Sequence, residues 1–253
     1  MPRAVLPIES RPALRPVSIP GLFVTGTDTG VGKTVVAGMI ADWFRRKGSR
    51  VAVLKPVATG CVKRREGLVS EDAEFLAVCA EARHPLDLIC PVRYVEPLAP
   101  AIAAERVGEV LDWEAVQRSI DLMTAESDVM IVEGVGGLMV PLDPKHTVRD
   151  LVQWLKLPTV VVARPSLGTI NHTLLTVDAL RAAGVTVRGV VVNRYPPEGA
   201  GVPEETNPRA IERWGRTSVL TIVPDEPVSP GKLPPGIVAA ADTVDWQALA
   251  ERA

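Results

Sequence analysis

The sequence predicts an α/β protein built on a single doubly wound, mostly parallel sheet with helices on both faces. Three observations carry that expectation. Short apolar runs of strand length alternate with segments of helical period along the chain. The runs around Phe23, Val53, Ile131 and Val161 are apolar without alternation, as strands covered on both faces are. Lysines, carboxylates and glycines gather where those runs end, which in an open α/β sheet is the rim that meets ligands.

Taken in order, residues 1–20 carry Pro2, Pro7, Pro12, Pro16 and Pro20 with scattered arginines. That spacing predicts a disordered or loosely docked arm. Serine is too scarce there, and proline too frequent, for an amphipathic transit peptide. One domain is expected over 21–253. Leu22-Phe23-Val24 predicts the first strand and is followed by a glycine- and threonine-rich loop. Gly32-Lys33-Thr34 then opens a helix in which Val36, Met39, Ile40, Trp43 and Phe44 share a face, closed by Arg45, Arg46, Lys47 and Gly48. Residues 50–55 form the second strand, and 61–70 read as a basic, irregular loop. Ser70 caps a helix reaching Ala82. A short strand is expected over 89–94, a loop with a helical turn over 98–105, and a helix over 112–125. Residues 128–133 make the next strand, with Gly134, Gly136 and Gly137 behind it. A helix over 147–156, a strand over 158–163, a helix from Gly168 to Ala183 and a strand over 187–193 continue the alternation. Asn207-Pro208 predicts the start of a short helix to Trp214, 218–223 the last sheet strand, and Trp246 a final helix.

Composition excludes several classes. The formal charge of −2 gives no bulk electrostatic case for binding nucleic acid or an anionic membrane. No apolar run reaches the roughly 18 residues of a membrane span. Cys61, Cys79 and Cys90 are odd in number and lack CxxC spacing, which fits a reducing cytoplasm and argues against disulfide or zinc frameworks. Cys61 reads as a bystander thiol, and His84, His146 and His172 show no metal spacing.

The chemistry lies in the strand ends. A strand, a glycine-rich loop and Gly-Lys-Thr at a helix start form a phosphate-binding loop, where backbone N–H groups and the positive end of the helix dipole surround a polyphosphate. Lys33 would reach the terminal phosphates and the Thr34 hydroxyl would bind Mg²⁺. Five residues, one more than the plain consensus, separate Gly26 from Gly32, and Thr27 stands at the usual place of the first glycine. Lys55 ends the second strand. Asp72 reads equally as a dipole-favourable carboxylate at a helix start and as a ligand. Glu133 before a glycine cluster is the layout of a second magnesium-facing loop. With Asn193, these residues are expected along one rim, a phosphoryl-transfer site without a nucleophilic side chain.

Several segments, in this order, resemble the dethiobiotin synthetases. They are Thr25-Gly-Thr-Asp-Thr-Gly-Val-Gly-Lys-Thr34, Lys55-Pro-Val-Ala-Thr-Gly60, Ser70-Glu-Asp72, Val132-Glu-Gly-Val-Gly-Gly137, Gly168-Thr-Ile-Asn-His172 and Val192-Asn193. The resemblance runs from about Gly21 to Glu226 and implies a P-loop NTPase fold. It also implies a reaction in which 7,8-diaminopelargonic acid, CO₂ and Mg-ATP give dethiobiotin, ADP and phosphate through a carbamate and a carbamic–phosphoric anhydride. It assigns Mg²⁺ to Thr34, Asp72 and Glu133, and catalysis to Lys55 with Lys33. Nucleotide contacts follow from Gly30, Val31, Gly32, Lys33, Thr34 and Val35, from Asp72, and from Glu133, Gly134, Val135 and Gly136. Asn193 would meet the adenine, with Arg194, Pro224, Asp225 and Glu226 nearby. The diamine would contact Thr27, Lys55 and Thr59, and its carboxylate would meet Gly168, Thr169, Ile170 and Asn171 of a neighbouring subunit. That implies a cytoplasmic homodimer with its site at the interface and no nucleic-acid or membrane partner.

Gly30 stands where some members of that family carry an acidic residue, and residues 194–205 depart from its pattern. Partitioning and division-site ATPases share the sheet but carry a signature lysine where this chain has Asp28. The synthetase half of a cobyrinate amidotransferase would need a glutamine-hydrolysing domain, for which the chain is expected to be too short.

Overall fold

The computed structural model describes residues 14–65, 67–196, 198–229 and 232–251. β1 (Gly21–Gly26) leads through the glycine-rich loop into α1 (Lys33–Arg46) and β2 (Val51–Leu54). Next come β3 (Val57–Ala58), β4 (Val62–Arg64), β5 (Gly67–Val69), α2 (Glu71–Ala80), α3 (Leu86–Ile89), β6 (Val92–Arg93), α4 (Pro100–Val107) and α5 (Trp113–Glu126). The chain continues through β7 (Val129–Glu133), α6 (Val148–Leu155), β8 (Thr159–Ala163), α7 (Thr169–Ala182) and β9 (Val187–Tyr195). It ends in α8 (Val202–Gly215), β10 (Val219–Pro224), α9 (Pro235–Asp242) and α10 (Trp246–Ala250).

The main sheet runs β10-β9-β8-β1-β7-β2, with each neighbouring pair parallel. Every residue of β1, β2, β7 and β8 is buried, which is why these strands read as unbroken apolar runs. The remaining strands step outward on either side of β1, so the loop after β1 sits near the middle of the carboxyl rim. α1 buries Val36, Met39, Ile40 and Phe44, the face anticipated from their spacing.

Elsewhere the local signals misled. Residues 61–70 are not an irregular loop: β4 and β5 form a hairpin with Val62 opposite Val69, too short to show alternation. The expected loop at 98–105 is largely α4, which tolerates Pro100 because the first turn of a helix needs no N–H there. The strand expected over 89–94 shrinks to β6, since α3 takes Ile89. α8 starts at Val202, before Asn207-Pro208, and carries Pro208 in its interior. α9 was not anticipated, because its proline start reads as a continuation of the preceding proline run. Of the arm, residues 1–13 lie outside the described residues. From Leu14 onward the chain is seated: Leu14 and Val17 are buried, and the Val17 amide donates to the Leu155 carbonyl at 3.1 Å. Among the described residues no helix is long and apolar enough to cross a membrane.

α10 closes the core with Trp246, which is fully buried and donates its indole N–H to the Ala241 carbonyl at 2.9 Å. Trp246→Ala is expected to lower stability by about 3–5 kcal/mol through lost transfer energy and a residual cavity. Trp214, 60% exposed, serves as the control, and Trp214→Ala should cost less than about 1 kcal/mol. Urea unfolding midpoints of the two variants check the contrast.

Candidate active site

The loop after β1 is tied down at its start, where the Thr27 amide donates to the Val162 carbonyl of β8 at 2.9 Å. Gly30 (φ +76°) and Gly32 (φ +88°) adopt left-handed backbone, which glycine takes without strain. No side chain caps α1, so its first N–H groups are left for an anion. Lys33 is buried at the start of α1, with Nζ 3.1 Å from the Asp28 carbonyl oxygen that accepts from it. Burial pushes its ammonium down to about 8, the Lys55 charge adds to this, and Glu133, Asp72 and Asp28 oppose it.

Beside the loop, the ends of β2 and β7 and the start of α2 bring their charges together. Lys55 Nζ lies 2.6 Å from Glu133 Oε1 and 2.8 Å from Asp72 Oδ2, and Lys55 and Glu133 are both buried. The Thr34 hydroxyl is 2.9 Å from Glu133 Oε1 and 3.0 Å from Asp72 Oδ1. Lys55 also approaches the Gly134 carbonyl at 3.4 Å. Burial by itself would lower the Lys55 pKa, but the two carboxylates outweigh it and hold the ammonium above its ordinary range. Burial raises Glu133, with Lys55 opposing. Half-exposed Asp72 is also pushed up by burial, but contact with Lys55 and the Thr34 hydrogen bond bring it below the ordinary carboxylate range.

The donor set suits magnesium. Thr34, Asp72 and Glu133 offer only hard oxygen atoms, and buried Glu133 Oε2 has no hydrogen-bond partner among the described residues. No group of three His, Cys, Asp or Glu forms an all-protein cage among those residues. A cation here would complete its shell with phosphate oxygens and water, as Mg²⁺ does.

Two cavities flank the loop. One, about 390 Å³, lies between Thr27–Thr29, the loop after β7 and α7, with walls that include Leu138, Met139, Val140 and Leu175. The other, about 400 Å³, is lined by Thr29, Gly30, Val31, Arg164, Arg194 and Glu204, among others. Thr27 therefore faces the first cavity, while Gly30, Val31 and Arg194 (φ +59°) face the second. Val35 stands in the first turn of α1, and Gly134, Val135 and Gly136 follow Glu133 on the loop after β7.

Not every expected residue joins this centre. Thr59 follows β3, and among the described residues no hydrogen bond or ion pair joins it to the charged cluster. Gly168, Thr169, Ile170 and Asn171 begin α7, yet none of them lines either cavity, and Asn171 is exposed. Asn193, on β9, lies beneath the loop with its amide nitrogen 2.9 Å from the Val31 carbonyl oxygen. Pro224 ends β10, the Asp225 amide donates to the Tyr195 carbonyl, and Glu226 accepts from the Gly236 amide at the start of α9. The Glu226 carboxylate is thus engaged with α9. Arg164 escaped the sequence reading. It sits between Asp28 (3.8 Å) and His172 Nδ1 (3.3 Å) and lines the second cavity. Its signal was a basic residue directly after an apolar strand, the same cue that singled out Lys55.

A family model described as an AAA domain matches residues 20–231. The ATP-dependent dethiobiotin synthetase BioD of Thermodesulfovibrio yellowstonii is 40% identical over 81% of this chain and 88% of its own length. The BioD proteins of Anaeromyxobacter sp. strain K (42%, covering 82% and 91%) and Bacillus velezensis (38%, covering 80% and 85%) are similar at the same level. Among solved structures, the Aquifex aeolicus MinC:MinD cell division complex matches with a TM-score of 0.55 at 14% identity, covering 92% of this chain and 96% of that one. The Pyrococcus furiosus cell division ATPase MinD matches at 0.50 and 16% identity, covering 90% and 100%. Those two likenesses concern the fold alone. The chain belongs to the dethiobiotin synthetase family.

Proposed function

We propose that this protein closes the ureido ring of dethiobiotin from 7,8-diaminopelargonic acid, CO₂ and ATP, working as a cytoplasmic homodimer in biotin biosynthesis. The observation that carries the reading is the meeting of Lys55, Asp72, Glu133 and Thr34 beside the phosphate loop. In this scheme an amine of the substrate takes up CO₂ and loses a proton, giving a carbamate. A carbamate oxygen attacks the γ-phosphorus and ADP leaves. The second amine then attacks the carbonyl carbon, and phosphate departs as the ring closes.

The side chains suit charge stabilisation. Lys55 is held as an ammonium by its two carboxylates, so it acts as an electrostatic partner for the carbamate and transferring phosphoryl group rather than as a base. Lys33 adds a second positive charge from the helix start. Mg²⁺ held by Thr34, Asp72 and Glu133 would offset the charge of the phosphate oxygens. Asn193 and Arg194 are assigned to the nucleotide side, with Pro224, Asp225 and Glu226 beside the base. The first cavity, with apolar walls next to Thr27, suits the aliphatic chain of the diamine.

A second subunit completes the site in this reading. Gly168, Thr169, Ile170 and Asn171 would offer the start of α7 to the carboxylate of a diamine bound by the other copy. Support comes from their position outside both cavities of their own chain, and from Met139, Leu167 and Leu175, which expose apolar surface. The nucleotide-switch alternative is weaker, because the signature position of such loops holds Asp28.

Purified protein given diaminopelargonate, bicarbonate and Mg-ATP should form dethiobiotin; ATP hydrolysis without that product would transfer support to the switch. Lys55→Ala is expected to lose about 10²–10³-fold in kcat with little change in ATP affinity, as a charge acting mainly on the transition state should. Because this variant strands Glu133, it should also unfold about 3–5 kcal/mol more easily. Lys55→Arg, which keeps a cation there, should fold better and still turn over poorly; near-normal turnover in both variants would refute the assignment. Asn171→Ala should raise the diamine KM by about tenfold, the worth of one hydrogen bond to a charged group, with ATP binding intact. An unchanged diamine KM would count against the shared site.

A further inference from the structure

We propose that Asn193 is a positioning residue that clamps the phosphate loop, setting its shape for a triphosphate whatever base the nucleotide carries. The inference rests on the reading of the loop as a triphosphate site, and goes beyond the assignment of Asn193 to the adenine.

Three features of the structure converge on it. Asn193 is 2% exposed, and its amide nitrogen donates to the Val31 carbonyl oxygen at 2.9 Å and lies 3.5 Å from that of Gly32. These carbonyls belong to the two peptide groups immediately before Lys33. A trans peptide holds its C=O and N–H in opposite directions. Anchoring these oxygens on Asn193 therefore turns the N–H groups of Gly32 and Lys33 away from it, toward the start of α1.

The second feature is how few hydrogen bonds tie this part of the loop to the sheet. Val31 lies between two glycines in left-handed backbone, Gly30 and Gly32, which unanchored would sample many conformations. Among the described residues, the only hydrogen bond tying Gly30, Val31 or Gly32 to the sheet comes from Asn193.

The third is the fit at Gly32. A Cβ there would lie 2.0 Å from the Asn193 amide nitrogen, so the glycine is required by the closeness of the clamp as well as by its φ. A neutral amide fills this buried place without the cost of a charge. Aspartate in the same place would set an acceptor against an acceptor.

The test uses Mg-tripolyphosphate, a triphosphate without a base. Its affinity and that of Mg-ATP are measured by calorimetry for the wild type, Asn193→Asp, Asn193→Ala and Asn193→Ser. Thermal unfolding establishes which variants are folded, and serine, small and polar but too short to reach Val31, serves if alanine disrupts the core. The clamp predicts that each folded variant loses affinity for both ligands by a similar factor, about tenfold for the lost hydrogen bond and more for aspartate. Unchanged tripolyphosphate binding beside weakened ATP binding would overturn it, leaving Asn193 as a base contact alone. If the wild type failed to bind tripolyphosphate in competition with ATP, the triphosphate reading of the loop would fall, and the clamp with it.

Discussion

An ammonium and a carboxylate buried together set the terms for this structure. Neither Lys55 nor Glu133 could be taken out of water alone, since the desolvation cost of a lone buried ion is several kcal/mol. At 2.6 Å each cancels much of the other's cost. The pairing depends on register: β2 runs parallel to β7 with Leu54 opposite Val132, so the next residues along, Lys55 and Glu133, emerge side by side. A slip of one residue would part the two charges and move each side chain of the slipped strand to the opposite face of the sheet, out of its packing. The core and the charged rim therefore select the same alignment.

The same constraint explains why so many elements stop where they do. β1, β2 and β7 end at the level of the rim, and α1 and α2 start there, with Thr34 and Asp72 in their first turns. Ser70 caps α2 through the Ala73 amide, which leaves the carboxylate of Asp72 free to turn toward Lys55 and Thr34. At α1 the arrangement is reversed. With no side-chain cap and glycine in the preceding position, the helix start is left open to an anion.

What could be read from the amino acids follows the range of the physics involved. Buried parallel strands announce themselves as unbroken apolar runs, and charges set at their ends stand out, so Lys33, Lys55 and Glu133 were legible. The hairpin of β4 and β5 and the proline-started helices α4 and α9 were not, because three-residue strands carry no period and proline looks the same at a helix start as in a loop. The convergence of the strand ends on one rim was legible, but particular side-chain bonds across the fold were not. The bond from Asn193 to Val31 spans 162 positions, and no local pattern distinguishes an asparagine that holds a loop from one that faces a base.

The fold itself settles little of the chemistry, as its likeness to cell division ATPases at 14% and 16% identity makes plain. What separates one member of this architecture from another is the set of side chains appended to shared strand ends. In this chain Asp28 of the loop offers its carbonyl to Lys33 and lies 3.8 Å from Arg164. Besides Lys33 at the helix start, positive charge stands at strand ends, on Lys55 after β2 and Arg164 after β8. A cation mounted on a strand end is held in place by the core and does not depend on loop motion for its position. Such fixed charge favours a reaction whose difficulty lies in gathering negative oxygens around one phosphorus, and it gives no group suited to attacking that phosphorus itself.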